Sequence, residues 1–180
     1  MKRHVLTGAP GAGKTALLRG LEADGFAVVE EAATNVIALA QARGVAEPWL
    51  QADFVDAVLA LQCRRQRAAD RWPVEAVLFD RSPVCTLALA RFLGRAPTPA
   101  LAAELDRIAS ERTYRRRVLF VRNLGFCEPT AARRISFDDS LRFEQVHLEV
   151  YDALGYACVP IEAADLDRRI AAVRAALAED

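Results

Sequence analysis

The sequence predicts an α/β domain of three layers, with a parallel sheet of five strands covered by helices on both faces. Three observations carry that prediction. Short β-rich runs alternate with longer segments of helical periodicity along the whole chain. A complete Gly-x-x-x-x-Gly-Lys-Thr loop, Gly8-Ala9-Pro10-Gly11-Ala12-Gly13-Lys14-Thr15, stands between the first strand and the first helix. Polar clusters follow the ends of other strands, at the carboxyl edge where open sheets of this class bind ligands.

Arg3 to Thr7 reads as the first strand, and Thr15 to Glu22 as the helix after the loop. Gly25 ends that helix, Phe26 to Val29 forms the second strand, and Glu30 and Glu31 follow at once. Ala32 to Arg43 is helical and Gly44 stops it. A longer helix is expected from about Trp49 to Asp70, with Leu50, Phe54, Ala57, Val58 and Leu61 at helical spacing. Pro73 restarts the chain before a third strand, Val74 to Phe79, which ends in Asp80-Arg81-Ser82-Pro83. Val84 to Leu93 and Pro99 to Glu111 are helices separated by Gly94-Arg95-Ala96-Pro97. Val118 to Val121 is the fourth strand, leading through an irregular arginine-bearing stretch to a helix over Phe137 to Leu154. Gly155 caps it, Tyr156 to Pro160 is the fifth strand, and Leu166 to Ala178 closes the chain as a helix. With no repeat, low-complexity tract or long linker, residues 1–180 read as one domain.

A chain of 180 residues that is 53% apolar and 27% charged is globular and long enough to bury a substantial core. Its 24 basic and 24 acidic residues leave a formal net charge of zero, so no general attraction draws it to nucleic acid or to an anionic membrane. Cys63, Cys85, Cys127 and Cys158 are far apart and form no metal-ligand pattern with His4 and His147, so they read as reduced structural thiols. The apolar stretch before the glycine loop is too brief for a signal peptide, and no uninterrupted apolar span reaches membrane length. A cytoplasmic location is expected.

The loop carries the chemistry. Its glycines let successive N–H groups face inward onto phosphate oxygens, and the helix behind adds the positive end of its dipole. Lys14 is placed to reach the outer phosphates, and the Thr15 hydroxyl to ligate the accompanying magnesium. Lys2 and Lys14 are the only lysines of the chain, every other basic position being arginine. The expected ligands are therefore ATP, not separable here from GTP, and Mg2+.

A nucleotide so held serves hydrolysis, a conformational switch or phosphoryl transfer. The Asp-Glu that commonly ends the strand in motor-type ATPases is here Asp80 followed by Arg81, without the hydrolytic base. The Asn-Lys-x-Asp signal of guanine-nucleotide switches is absent from the sequence, and its Asp-x-x-Gly, Asp152-Ala153-Leu154-Gly155, ends an expected helix where a switch would have it follow a strand. What remains suits transfer, in which positioning and charge neutralisation do most of the catalysis. Asp80 would hold magnesium through water, while Lys14, Arg81, Arg133 and Arg134 surround the phosphoryl oxygens. Glu30 or Glu31 would take the proton of the acceptor hydroxyl.

Each of these residues also has a plainer reading. Asp80 suits a turn or helix cap, Glu30 and Glu31 suit a helix dipole, and paired arginines suit any surface. Arg64-Arg65-Gln66-Arg67 and Arg115-Arg116-Arg117 are read as solvated surface, and Trp49 and Trp72 as packing residues.

Taken together, the glycine loop, Val28-Val29-Glu30-Glu31-Ala32-Ala33, Phe79-Asp80-Arg81-Ser82 and Thr130-x-x-Arg133-Arg134 before Phe137-Asp138-Asp139 resemble a small P-loop family labelled an AAA-type ATPase domain. That family is similar to nucleoside and nucleotide kinases, among them nicotinamide riboside and deoxynucleoside kinases. The resemblance implies a sheet order of 2-3-1-4-5 and a lid over about residues 122–136, with Arg133 and Arg134 closing over ATP. It implies an acidic-Arg pair at Asp80-Arg81 and a wall of the acceptor pocket on the helix from Trp49, with Phe54, Gln62 and Arg64 as candidate contacts. No base-recognition set stands out on that helix, so the small-molecule acceptor, a nucleoside or nucleotide among the candidates, stays open. An ATPase or nucleotide-binding regulator without an acceptor is the alternative. A nucleic-acid 5′-end kinase is disfavoured by the zero net charge.

Overall fold

The apolar runs form five strands, β1 (Lys2–Thr7), β2 (Ala27–Val29), β3 (Ala76–Asp80), β4 (Arg117–Val121) and β5 (Ala157–Ile161). The computed structural model describes residues 1–126 and 135–179. All strand pairs are parallel, and the sheet order is β2-β3-β1-β4-β5. This is the order implied by the kinase resemblance. Leu6 lies opposite Asp80 on one side and Leu119 on the other, so the carboxyl ends of the three central strands come out side by side.

Successive strand residues point to opposite faces, and the sheet is buried on both. Val5, Val77, Phe79 and Val118 face a core completed by α3 (Phe54–Ala69), α4 (Pro83–Phe92), α5 (Pro99–Ser110) and α6 (Phe137–Ala153). Leu6, Leu78, Leu119 and Val121 face the other way, onto α1 (Lys14–Ala23) and α7 (Leu166–Ala178) through Leu17, Leu21 and Val173. The remaining helix, α2 (Ala32–Ala42), packs Ala32 and Ile37 against Phe54 and Val58 of α3. Strand β5 is an edge strand, which explains how it tolerates Pro160.

The long helix expected from Trp49 is divided. Pro48–Leu50 is a short 3-10 turn, Gln51 is extended, and α3 starts only at Phe54. The physical reason is Arg95, in the connection between α4 and α5, whose guanidinium takes the carbonyls of Trp49 and Gln51 at 2.9 and 2.7 Å. A continuous helix would have used those carbonyls itself. Three helices start on side-chain caps: Thr98 for α5, Ser136 for α6 and Asp165 for α7.

Several residues read as solvated are structural ties. Arg65 donates to the Glu30 and Glu31 carbonyls at 2.8 and 2.5 Å, and Gln66 is buried against the Tyr114 hydroxyl. Arg116 lies over the Tyr156 ring, and Arg117 pairs with Glu179. Trp72, read as a packing residue, is 39% exposed. Cys63, Cys85 and Cys158 are free thiols, and burial pushes Cys63 and Cys158 up to about 11; Cys127 lies outside the described residues. No described helix is long and apolar enough to cross a membrane.

Candidate active site at the phosphate loop

The chain leaves β1 at Thr7 and reaches α1 through Gly8 and Gly13, both at positive φ. At Gly8, with φ 136°, a Cβ would stand 2.2 Å from the Val121 carbonyl oxygen. Gly8→Ala is therefore expected to cost about 2 kcal/mol or more of stability and to weaken triphosphate binding, checked by chemical denaturation and calorimetry. Helix α1 has no side-chain cap and no acidic residue in its first turn, so its first N–H groups are left to an anion.

Lys14 opens α1 and folds back over the loop, donating from Nζ to the Gly8 and Ala9 carbonyls, both at 2.9 Å. Burial, seconded by the Arg81 charge, brings its pKa down to about 8, against the opposing pull of Asp80 and Glu31. Thr15, next along α1, is exposed, and both residues line a cavity of about 540 Å³. The same cavity is lined by Glu31, Asp80 and Arg81, brought in from the ends of β2 and β3.

Arg81 has φ 71°, a left-handed conformation rare for an arginine. Three bonds hold it there. Its backbone N–H donates to the Leu6 carbonyl at 2.9 Å, its Nε to Glu31 Oε1 at 2.6 Å, and its guanidinium to His147 Nε2 at 3.0 Å. His147 Nδ1 lies 2.8 Å from the Phe143 carbonyl, which only accepts, so the ring proton sits on Nδ1 and Nε2 is free to accept from Arg81. Burial and then the Arg81 charge hold His147 well below its ordinary pKa, consistent with that neutral tautomer.

The two carboxylates of the site are pushed in opposite directions. Burial raises Glu31, but Arg81, Lys14 and the Thr34 hydroxyl, which donates to Oε2 at 2.7 Å, outweigh it and hold the carboxyl below its usual range. Asp80 goes up to about 6, through burial first and the neighbouring Glu31 charge second. Its Oδ1 is buried without a hydrogen-bond partner. A buried carboxylate oxygen left unpaired beside a phosphate loop fits a hydrated magnesium ion, the hard cation that oxygen ligands favour.

Glu30 and Glu31, equivalent in sequence, are separated by the fold. Glu31 lines the cavity, whereas Glu30 is exposed and does not. Phe54 and Gln62 of α3 line the cavity too, while Arg64 lies on a separate groove between α2, α3 and α5. Trp49 also faces the cavity. Arg133 and Arg134 lie outside the described residues. At the root of the expected lid, Arg122 pairs with the buried Glu144 at 2.9 Å, and Asn123 donates to the same carboxylate. Sequence reasoning missed His147, Glu144 and Arg169; the last donates from α7 to the Ala12 carbonyl at 2.6 Å. None sits in a motif, and each is isolated in an ordinary helical pattern.

The glycine loop, placed at the carboxyl end of the central strand in a sheet of order β2-β3-β1-β4-β5, defines a P-loop nucleotide-binding domain of kinase-like fold. More narrowly, the chain belongs to a family described as AAA domain, whose model matches residues 3–169. No curated protein matches the sequence significantly. Among solved structures, a deoxyadenosine kinase from M. mycoides with the products dCMP and a flexible dCDP is 12% identical, with a TM-score of 0.66 over 99% of this chain and 100% of that one. The same kinase with dCTP is 14% identical, with a TM-score of 0.55 over 100% of both chains. With dATP it is 11% identical, with a TM-score of 0.55 over 98% of this chain and 99% of that one. Likeness at this level of identity is likeness of fold.

Proposed function

We propose that the chain is an ATP- and magnesium-dependent phosphotransferase acting on the hydroxyl of a neutral small molecule of nucleoside type. The observation that carries this reading is the ion pair of Glu31 and Arg81 in the wall of a cavity that the phosphate loop and a set of apolar side chains also line. In the transfer, the acceptor hydroxyl gives its proton to the Glu31 carboxylate while its oxygen attacks the γ-phosphorus. The bond from that phosphorus to the bridging oxygen breaks, and ADP leaves with the bond's electrons. Lys14 and Arg81 neutralise the oxygens of the moving group. Thr15 and Asp80 would hold the magnesium, which supplies charge neutralisation at the phosphates. Glu31 is preferred as base over Glu30, which lies outside the cavity, and over Asp80, which is given to the metal. The lid role of Arg133 and Arg134 belongs to the same proposal.

The cavity supports a neutral acceptor. Its apolar lining includes Ile37, Trp49, Phe54, Leu89, Phe92 and Phe143. Among its described lining residues the cations are Lys14 and Arg81, and this proposal gives both to the moving phosphoryl group. A phosphate carried in by the acceptor would be desolvated without a described counter-ion, an unfavourable transfer. Gln62 accepts from Thr86 Oγ1 at 2.7 Å and donates to the Ser82 carbonyl at 3.2 Å, leaving one N–H and one lone pair for a ring edge. The nucleotides bound by the M. mycoides kinase, dATP, dCTP and dCMP, support a nucleoside-type acceptor.

Incubation with terminally labelled ATP, magnesium and a panel of nucleosides, nucleotides and aminoglycosides tests the proposal. A labelled nucleoside is the expected product; slow phosphate release with no labelled acceptor would replace it with an ATPase or regulator. Glu31→Gln is expected to lower kcat by about 10²–10⁴-fold while leaving ATP affinity within a few-fold, measured by steady-state kinetics and calorimetry.

A further inference from the structure

Among the described residues, Arg169 is a buried cation to which the transfer above gives no part. It stands in the first turns of α7, 4% exposed, and donates from its guanidinium to the Ala12 carbonyl at 2.6 Å. Its Nε is buried without a partner, and no described carboxylate pairs with the side chain. Burial alone pulls its pKa below the ordinary arginine value. A buried charge without a counter-ion is costly, and an anion brought close to it would relieve that cost.

The guanidinium lies against the Ala12–Gly13 peptide. A Cβ on Gly13 would stand 2.9 Å from Arg169 Nη1 and 3.4 Å from Leu124 Cδ1, so the close approach requires glycine as the φ of 76° does. The chain has no cis peptide among its described residues, and in a trans peptide the Ala12 carbonyl and the Gly13 N–H point in opposite directions. Holding the carbonyl outward onto Arg169 therefore turns the Gly13 N–H inward, and Gly13 lines the cavity. Orientation and charge act in the same sense, both favouring an anion in the loop.

We propose that Arg169 is a positioning residue of the phosphate loop, which orients the Gly13 N–H through the Ala12 carbonyl and whose missing counter-ion is the bound triphosphate. The inference rests on the reading that this loop holds a nucleoside triphosphate. A purely structural clamp would need only a donor to Ala12, whereas this role needs the charge as well.

Binding of a non-hydrolysable β,γ-imido ATP analogue with magnesium, measured by calorimetry on the full chain, separates the two. Arg169→Gln keeps an N–H donor and removes the charge; Arg169→Lys keeps the charge. The expected result is a loss of about tenfold or more in affinity for Arg169→Gln, most of it recovered in Arg169→Lys. The proposal is overturned if Arg169→Gln binds within about threefold of the wild type, if Arg169→Lys loses as much, or if neither variant folds by circular dichroism. A wild-type chain that binds no triphosphate overturns the nucleotide reading and this inference with it; equal binding by wild type and Arg169→Gln removes the role of Arg169 alone.

Discussion

Lys14→Met is expected to leave a folded protein whose phosphoryl transfer has fallen by at least about a hundredfold, the effect of removing a principal donor to the developing charge. The ammonium is held at the loop by the Gly8 and Ala9 carbonyls and is 7% exposed. No other lysine is near, since Lys2 lies at the opposite end of β1. Methionine keeps much of the side-chain volume and removes the charge. Because the folded pKa is about 8 against an ordinary 10.5, the unfolded chain binds more protons between those values. Lys14 therefore works against folding below pH 8, and that penalty fades as the pH rises through 8 towards 10.5. The melting temperature of the variant at pH 7 is thus expected not to fall. The same shift predicts that triphosphate affinity of the wild type declines as pH rises above about 8, where Lys14 of the free protein discharges. Full transfer activity in Lys14→Met, or affinity that is flat from pH 7 to about 9.5, would contradict the placement of the charge.

The second large effect has two opposite readouts. Asp80→Asn is expected to abolish magnesium-supported turnover while stabilising the free protein by about 1–3 kcal/mol at pH 7. The carboxyl titrates at about 6 instead of 3.8, is 7% exposed, and leaves Oδ1 without a partner. The native state then keeps a proton that the unfolded chain releases between pH 3.8 and 6, so this group withdraws stability as pH rises through that window, with the full penalty above it. Glu31 runs the other way: its depressed pKa contributes stability that is lost on acidification. Urea denaturation of both proteins at pH 4 and pH 7.5 isolates Asp80 as the difference between them, which should widen towards pH 7.5. An asparagine variant less stable than the wild type at pH 7.5 would show that Asp80 is satisfied in the free protein, against the proposed magnesium role. A residue that destabilises the free fold and is kept at the mouth of a phosphate loop is the usual signature of a functional site.

The strand ends were legible within a residue or two because their signals are local: apolar runs, and the Gly and Pro residues that bound them. The division at Trp49 was not, because the helical spacing of Leu50, Phe54 and Val58 is compatible with a continuous helix; only Arg95, arriving from beyond α4, diverts the carbonyls. In the candidate site, the sequence marked the residues that follow strands, but it left Glu30 and Glu31 equivalent. The Arg81 bond to the Glu31 side chain distinguishes them.

What the sequence determined by itself is the phosphate loop, whose glycines, lysine and threonine stand together in one short stretch, in an alternation of strands and helices that admits a parallel sheet. Tertiary structure alone decided what surrounds it. Arg81 meets Glu31 across 50 residues and His147 across 66, and Arg169 reaches Ala12 across 157. Such partners are set by the order in which strands pack and by which face of a distant helix turns inward. Those choices are made by burial of the whole core, and no short stretch of chain records them.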